Sequence, residues 1–250
     1  MFHKEAVKKH FDHLSSIYSQ NYIEENSGKN YDFRKRLELV MQEVSKETGC
    51  LLDCACGTGE ITSQVLDYGN FSKVVICDIS QEMLEIAKSR LDRKVQTSNI
   101  LFEEVDIFEY IPDKSFKFDV ILCLGLLAHT GELKALLQHL KSMLDDNGKI
   151  FLQSSLLDHW GVKFTRFFTS KIFFEKNDYK ISYFTREDIE KCAQECGLIV
   201  KKTKRYNLGI PFGDRISKFW NFWAETHMEK FAAMHGSDAI FVISRDDRKK

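Results

Sequence analysis

Apolar side chains recur at helical spacing near the start of the chain. Residues 2–20 place them on one side and lysines on the other, and residues 31–46 repeat the pattern after a break at 26–28. Apolar positions repeating every three or four residues predict amphipathic helices. We therefore expect two helices before the first strand, where they either cover one face of a sheet or cap a site.

A different rhythm begins at Cys50, where short apolar runs alternate with helical patterns. The predicted strands are 50–54, 73–77, 100–105, 118–124, 149–154, 198–205 and 238–245, with a turn at 145–148. The predicted helices are 60–69, 81–91, 132–144 and 185–195. The last of these opens with a capping box at residues 185–188, and a further aromatic helix is expected within residues 216–231. This alternation predicts a doubly wound α/β fold with a parallel sheet and right-handed crossovers. Ligands of such sheets bind beyond the carboxyl ends of the strands.

The turn after the first strand carries candidate chemistry. Asp53 ends that strand, and Gly57 and Gly59 precede the next helix. Glycines allow a tight turn and a close ligand, and the free N–H groups at a helix start favour an anionic group. Asp78 ends the second strand, where this kind of fold places the carboxylate that binds ribose hydroxyls. The sequence therefore predicts a site for an adenosine-containing cofactor.

Two other nucleotide sites are excluded by the same stretch. Thr62 stands where a dinucleotide fingerprint needs its third glycine, and no Lys-Ser/Thr pair follows the glycines as in a P-loop.

At this point the chain resembles the class I S-adenosylmethionine-dependent methyltransferases. Their first motif is a strand-end acid followed by Gly-x-Gly-x-Gly, which here reads Asp53, Ala55, Gly57 and Gly59, with Ala55 replacing the first glycine. The resemblance covers about residues 46–205 and is nearest to the ubiquinone- and menaquinone-biosynthesis type, which acts on small molecules. It implies a seven-stranded, mostly parallel, Rossmann-like sheet with an antiparallel last strand. It also implies S-adenosyl-L-methionine as cofactor and S-adenosyl-L-homocysteine as product.

The resemblance assigns roles to individual residues. Cofactor contacts are expected from Asp53, Ala55, Cys56, Gly57, Thr58, Gly59, Asp78, Ile79, Met83, Asp106, Ile107, Cys123, Leu124, Gly125 and Arg36. Among them Asp78 would hold the ribose and Asp106 the adenine amino group. The guanidinium of Arg36, with Arg34 as a second candidate, would bind the methionyl carboxylate through paired hydrogen bonds. A solvated helix face is the alternative for both arginines.

His129 follows the fourth strand, where quinone-type relatives carry a histidine near the methyl group. An imidazole can take a proton from a hydroxyl or amine, and the alternative is a structural histidine bonded to the loop. Tyr18, Tyr22 and His159 are further candidates that would orient the acceptor. A sulfonium donor needs little base catalysis, because positioning the nucleophile supplies much of the rate.

Two segments rich in aromatic residues, 156–184 and 206–236, interrupt the pattern in the second half. Their composition fits three uses: the core of a cap, a pocket for a partly apolar or aromatic acceptor, or a dimer or membrane-surface patch. In such a pocket Lys163 or Arg166 would bind an anionic group of the acceptor. Aromatics among basic residues also suit single-stranded RNA, but a net charge of −1 gives no drive toward nucleic acid.

Composition favours an ordinary protein of the cytoplasm. The chain has 250 residues, 43% of them hydrophobic, and seven scattered cysteines. Neither Cys54 with Cys56 nor Cys192 with Cys196 has a histidine partner set, so no metal is expected. No apolar run is long enough to span a membrane, and the chain is expected to be a monomer or homodimer.

These inferences predict one globular domain built from a helical lid (1–48), a cofactor-binding core (49–155) and a C-terminal part (156–250) that carries the two insertions. The expected function is direct SN2 transfer of a methyl group to an oxygen or nitrogen of a small acceptor. The alternative is a non-catalytic S-adenosylmethionine-binding or scaffold subunit. An RNA or protein methyltransferase is disfavoured, since the Asn-Pro-Pro-Tyr signature of base and glutamine methylation is missing.

Overall fold

The structure, a computed structural model, describes residues 2–23, 28–44, 48–95, 99–113, 116–164, 167, 181–211 and 213–246. The strands are β1 (Thr48–Asp53), β2 (Asn70–Asp78), β3 (Asn99–Glu104), β4 (Phe118–Cys123), β5 (Leu144–Ser155), β6 (Leu198–Tyr206) and β7 (Asp238–Arg245). Helices α1 (Phe2–Ile23) and α2 (Gly28–Val44) precede them. Further helices are α3 (Glu60–Tyr68), α4 (Gln81–Val95), α5 (Leu127–Thr130), α6 (Leu133–Met143), α7 (Arg186–Glu195), α8 (Gly213–His227) and α9 (Glu229–His235).

Within the described residues, seven strands form one sheet in the order β3-β2-β1-β4-β5-β7-β6. The first five strands pair in parallel, and β7 runs antiparallel to both β5 and β6. The predicted fold class is therefore confirmed. The strand order reverses direction at β1 and β4, so the ligand crevice of such a fold lies beyond the carboxyl ends of these two strands.

The core covers both faces of the sheet. Neighbouring residues of a strand point to opposite faces, and Leu51 and Leu52 are both fully buried in different clusters. Leu51 belongs with Val40 of α2, and Leu52 belongs with Leu140 of α6. The continuous apolar run of β4 is typical of a strand buried on both faces.

Two local predictions are wrong. The predicted turn at 145–148 lies inside β5, because Leu144 already pairs with Phe118 and Lys149 pairs with Val120, leaving the residues between them as an irregularity. The aromatic helix of the second insertion is divided into α8 and α9, with non-helical angles at Ser217 inside α8 (φ −163°, ψ 112°).

Much of the first insertion lies outside the described residues, including Arg166 and positions 168–180. Of its described part, Trp160, Phe164 and Phe167 are exposed. Among the helices that the structure describes, none combines the length and apolar character needed to cross a membrane.

The predicted capping box at the start of α7 is present. The hydroxyl of Thr185 accepts a hydrogen bond from the N–H of Asp188 (3.1 Å), and the Asp188 carboxylate accepts one from the N–H of Thr185 (2.9 Å). We expect Thr185→Ala to lower the free energy of unfolding by about 1 kcal/mol, since it removes this cap. Urea denaturation would measure the loss, and Thr185→Ser, which keeps the hydroxyl, should retain most of the stability.

Candidate functional site

Asp53 anchors the turn between β1 and α3. Its carboxylate accepts hydrogen bonds from the hydroxyl of Thr62 and from the N–H of Ala55, the latter at 3.4 Å. Burial raises the pKa of Asp53 to about 6, although both hydrogen bonds act in the opposite direction. Thr62, which replaces the third glycine of a dinucleotide motif, thus ties the helix to the strand end.

The two glycines of the turn have different roles. Both have positive φ (+53° at Gly57, +73° at Gly59), a conformation that side chains disfavour. A Cβ on Gly59 would lie 3.0 Å from the Cβ of Ala87, so Gly59 permits the close packing of α3 on α4. A Cβ on Gly57 would face the ring of Tyr18 at 3.6 Å. Gly57 therefore borders the space in which a ligand could lie.

Asp78 connects the second strand to this turn. Its two oxygens accept hydrogen bonds from the N–H groups of Gly57 (2.8 Å) and Ser80 (2.9 Å). Burial raises the pKa of Asp78 above its usual value, despite these bonds. Ser80 caps α4 by accepting from the N–H of Met83 (3.2 Å), so Asp78 is not needed as a helix cap.

A cavity of about 570 Å³ lies where these strand ends meet. Its walls include Val7, Phe11, Tyr18, Arg36, Ala55, Gly57, Asp78, Ile79, Asp106, Ile107, Phe108, Leu124, Gly125, Leu126, His129 and Ile181. A smaller space, bordered by several of the same residues, adds Asp53, Cys56 and Thr58. The structure therefore brings twelve of the predicted cofactor residues, together with Tyr18 and His129, around one site.

Three predicted cofactor residues do not line this cavity. Met83 (1% exposed) and Cys123 (fully buried) belong to the core, and Gly59 packs against α4. The sequence pattern placed them near the site, but Cys123 lies in the core cluster that contains Leu52, and a Cβ on Gly59 would meet Ala87 of α4. Tyr22 lies in α1, and its side chain falls outside the described residues.

His159 is also absent from the cavity. Its Nδ1 accepts a hydrogen bond from the N–H of Gly161 (3.1 Å), and its ring packs against Gly209. Burial, followed by the charge of Arg205, lowers the pKa of His159. The predicted acceptor-orienting role of His159 is therefore not supported, because the ring is enclosed in the loops beside β6.

Two lysines of α1 hold this helix at the Asp106 end of the cavity, through contacts that the sequence did not predict. Lys4 lies 3.4 Å from the Asp106 carboxylate and 2.8 Å from Glu109, while Lys8 donates to the carbonyl of Ile79 (2.9 Å) and pairs with Glu104 (3.0 Å). The lysines form the polar face of an amphipathic helix, which sequence reasoning assigned to solvent. The other carboxylate oxygen of Asp106 accepts a hydrogen bond from the N–H of Phe108 (3.0 Å).

The other end of the cavity is aromatic. The rings of Phe11 and His129 meet edge-on with centroids 5.0 Å apart, and Tyr18 lies 6.4 Å from Phe11. His10 also borders this end, and burial, with the charge of His13, lowers the pKa of His10. Phe11 and His10 fall on the apolar side of the helical pattern in residues 2–20, which by itself predicted no part for them in the site.

Arg36 reaches the cavity from α2. Its guanidinium pairs with Asp32 one turn earlier (2.8 Å), and its Nη1 is 3.9 Å from where a Cβ on Gly125 would lie. Gly125 has φ +86° and follows β4. Arg34 is exposed. Of the two predicted arginines, Arg36 is thus the one at the site.

Metal chemistry has no visible support in the described part of the chain. No cluster of three or more histidine, cysteine, aspartate or glutamate side chains there could hold a metal ion. The seven cysteines are free thiols.

The sheet order and the strand-end site are those of a class I S-adenosylmethionine-dependent methyltransferase domain. Within it, residues 52–150 match the family described as methyltransferase domain. The resemblance predicted from the Gly57–Gly59 turn is thereby confirmed.

Named relatives agree with this class. A ubiquinone biosynthesis O-methyltransferase of Coxiella burnetii is 25% identical over 119 residues, covering 48% of this chain and 49% of the relative. A malonyl-[acyl-carrier protein] O-methyltransferase of Ilyobacter polytropus is 29% identical over 147 residues, covering 59% and 51%. The chain thus spans about half the length of the curated relatives it matches.

A solved structure shares the whole fold. The magnesium protoporphyrin IX methyltransferase of Synechocystis PCC 6803, crystallised with bound SAH, superposes with a TM-score of 0.65. The alignment covers 97% of this chain and 99% of that chain at 16% identity. At this identity the likeness establishes the architecture of the chain and no more.

Proposed function

We propose that the chain binds S-adenosylmethionine in the cavity at the ends of β1, β2, β3 and β4 and transfers the methyl group to an oxygen or nitrogen of a small acceptor. The observation that carries the proposal is the convergence of Asp78, Asp106 and Arg36 on one cavity that also reaches His129. Two acids and a guanidinium match the ribose, the adenine amino group and the methionyl carboxylate of this molecule.

The shape of the site fits the cofactor. Gly57 and Gly125 line the same cavity as Arg36, and because neither carries a Cβ, a ligand can approach their backbone closely. A cavity of about 570 Å³ is in the size range of drug-sized ligand sites. Ile79 and Ile107 offer apolar contacts for an adenine ring beside Asp106.

When bound, the cofactor would supply an electrophilic methyl group on sulfur, and the C–S electron pair would stay on sulfur as the acceptor attacks. The protein's part is to hold and orient. Asp78 and Asp106 fix the nucleoside, Arg36 fixes the amino-acid end, and α1 excludes water through Phe11 and Tyr18. His129 would accept the proton that the acceptor loses.

The acceptor is proposed to be partly apolar. Phe108, Leu126 and Ile181 line the cavity near His129 and Thr130, so apolar and hydrogen-bonding surfaces lie together. The division of the chain into lid, core and cap is part of the same proposal.

Isothermal titration with S-adenosylmethionine, S-adenosylhomocysteine and NAD tests the proposal first. We expect the first two to bind with micromolar Kd and NAD not to bind, because Thr62 removes the third glycine of a dinucleotide site. A screen of quinones, lipids, sugars and amines would then seek turnover. Binding of NAD, or of none of the three ligands, would refute the cofactor assignment. Binding without turnover on any pool would favour a non-catalytic cofactor-binding subunit.

A further inference from the structure

Arg36 belongs to a buried polar layer beneath the cavity. The charges of Asp32 and Arg36, both on α2, act on Tyr206 at the end of β6 and on Asp238 at the start of β7, and the last two residues are 3% and 8% exposed. Only Arg36 among these four side chains borders the cavity. Its position therefore depends on which of the acids behind it holds the guanidinium.

Asp238 is already occupied by other donors. Its carboxylate accepts hydrogen bonds from Ser155 Oγ (2.5 Å), Ser237 Oγ (2.9 Å) and Asn207 Nδ2 (3.0 Å). Burial, followed by the negative charge of Asp32, raises the pKa of Asp238 to about 6. Asp238 thus attracts Arg36 only as a distant charge, whereas Asp32 bonds it directly.

The ion pair of Asp32 and Arg36 holds the guanidinium in place before any ligand binds. The two residues are four positions apart on α2, where side chains share one face of a helix, and Nη2 lies 2.8 Å from Oδ2. The Asp32 and Arg36 side chains are only 20% and 15% exposed, so water screens the pair less than at the surface.

We propose that Asp32 is a positioning residue that holds one edge of the Arg36 guanidinium and so presents the remaining donors to the methionyl carboxylate of the cofactor. This inference rests on the proposed function. An arginine side chain carries about 2 kcal/mol of rotamer entropy, and holding it in place beforehand reduces what ligand binding must supply.

Two effects of Asp32 oppose each other. Its charge repels the carboxylate of a ligand, but that repulsion acts across the width of the guanidinium. Its hydrogen bond to Arg36 is direct and orients the guanidinium, which without it would lose its fixed orientation toward the cavity. Because Coulomb energies fall with distance, the direct contact outweighs the repulsion.

The test compares two ligands that differ only at the amino-acid end. S-adenosylhomocysteine carries the carboxylate, and 5′-methylthioadenosine lacks it but keeps the nucleoside and the thioether. We expect Asp32→Asn to weaken S-adenosylhomocysteine binding about tenfold, or about 1.4 kcal/mol. Binding of 5′-methylthioadenosine should change less than about twofold. Isothermal titration measures both on the full chain.

A matched control and a double variant sharpen the comparison. Glu38→Gln makes the same carboxylate-to-amide change on the exposed side of α2, where Glu38 pairs with Lys35 (2.6 Å), and should alter neither affinity. In an Arg36→Met background, Asp32→Asn should have no further effect on S-adenosylhomocysteine, since Asp32 acts through Arg36.

Other outcomes overturn the assignment. Unchanged or tighter S-adenosylhomocysteine binding would mean that the charge of Asp32 matters more than its hold on Arg36, or that neither matters. Equal losses for both ligands would make Asp32 merely structural. If Asp32→Asn does not fold, Asp32→Ser removes the same carboxylate with a smaller side chain and is judged by the same ratio. A wild-type chain that binds neither ligand would instead refute the proposed function.

Discussion

Replacing Asp78 with alanine should weaken S-adenosylmethionine binding about 100-fold or more. A carboxylate that accepts from two ribose hydroxyls makes two charge-assisted hydrogen bonds, each contributing about 1.5–3 kcal/mol. The same carboxylate holds the N–H groups of Gly57 and Ser80, so the alanine also loosens the turn that borders the cavity. Both effects act in the same direction, and isothermal titration would measure their sum.

Ser80→Ala is the matched control for this experiment. It removes the cap of α4 next to Asp78 without touching the carboxylate, so it should lower stability while changing cofactor affinity little. Thermal unfolding of both variants separates a loss of fold from a loss of binding. Unchanged affinity in a folded Asp78→Ala protein would refute the ribose assignment.

His129→Ala should lower kcat about 100-fold or more on an acceptor that must lose a proton, and should leave cofactor affinity nearly unchanged. General bases contribute about 10²–10⁴ in rate, and His129 lies at the aromatic end of the cavity, away from Asp78 and Asp106 in the proposed arrangement. Steady-state kinetics on whichever acceptor the screen identifies, with titration of the cofactor, would separate the two.

His227→Ala serves as the control for that measurement. His227 is an exposed histidine of α8 that stacks on Trp223 (ring centroids 4.5 Å apart) and does not border the cavity. It should leave both kcat and cofactor affinity unaltered. Equal turnover of His129→Ala and the wild type would mean that His129 has a structural role in the loop. Its edge-on contact with Phe11 would then be that role.

The sequence was most informative where chemistry coincides with the end of a strand. Asp53, Asp78 and Asp106 follow separate apolar runs, and a parallel sheet brings the carboxyl ends of its strands to one edge. Their common location was therefore predictable without any knowledge of long-range contacts. The same holds for Thr185 and Asp188, whose capping box depends on four consecutive residues.

Prediction failed where a residue's place depends on how distant segments pack. His159 has the right chemistry, yet the loops around Gly161 and Gly209 enclose it. Lys4 and Lys8 look like the solvent side of an amphipathic helix until α1 is docked on the ends of β2 and β3. No local pattern distinguishes a lysine in water from one that meets an acid about a hundred positions away.

The docking of α1 has a consequence for how the site opens. At the Asp106 end the helix is held by ion pairs of Lys4 and Lys8 whose groups are partly exposed, and at the other end by the ring contact of Phe11 with His129. Salt screens the first kind of contact and leaves the second almost untouched. Rising ionic strength would therefore weaken the hold on α1 at the Asp106 end more than at the Phe11 end. In the proposed arrangement, added salt would then speed ligand exchange chiefly at the end of the cavity that Asp106 borders.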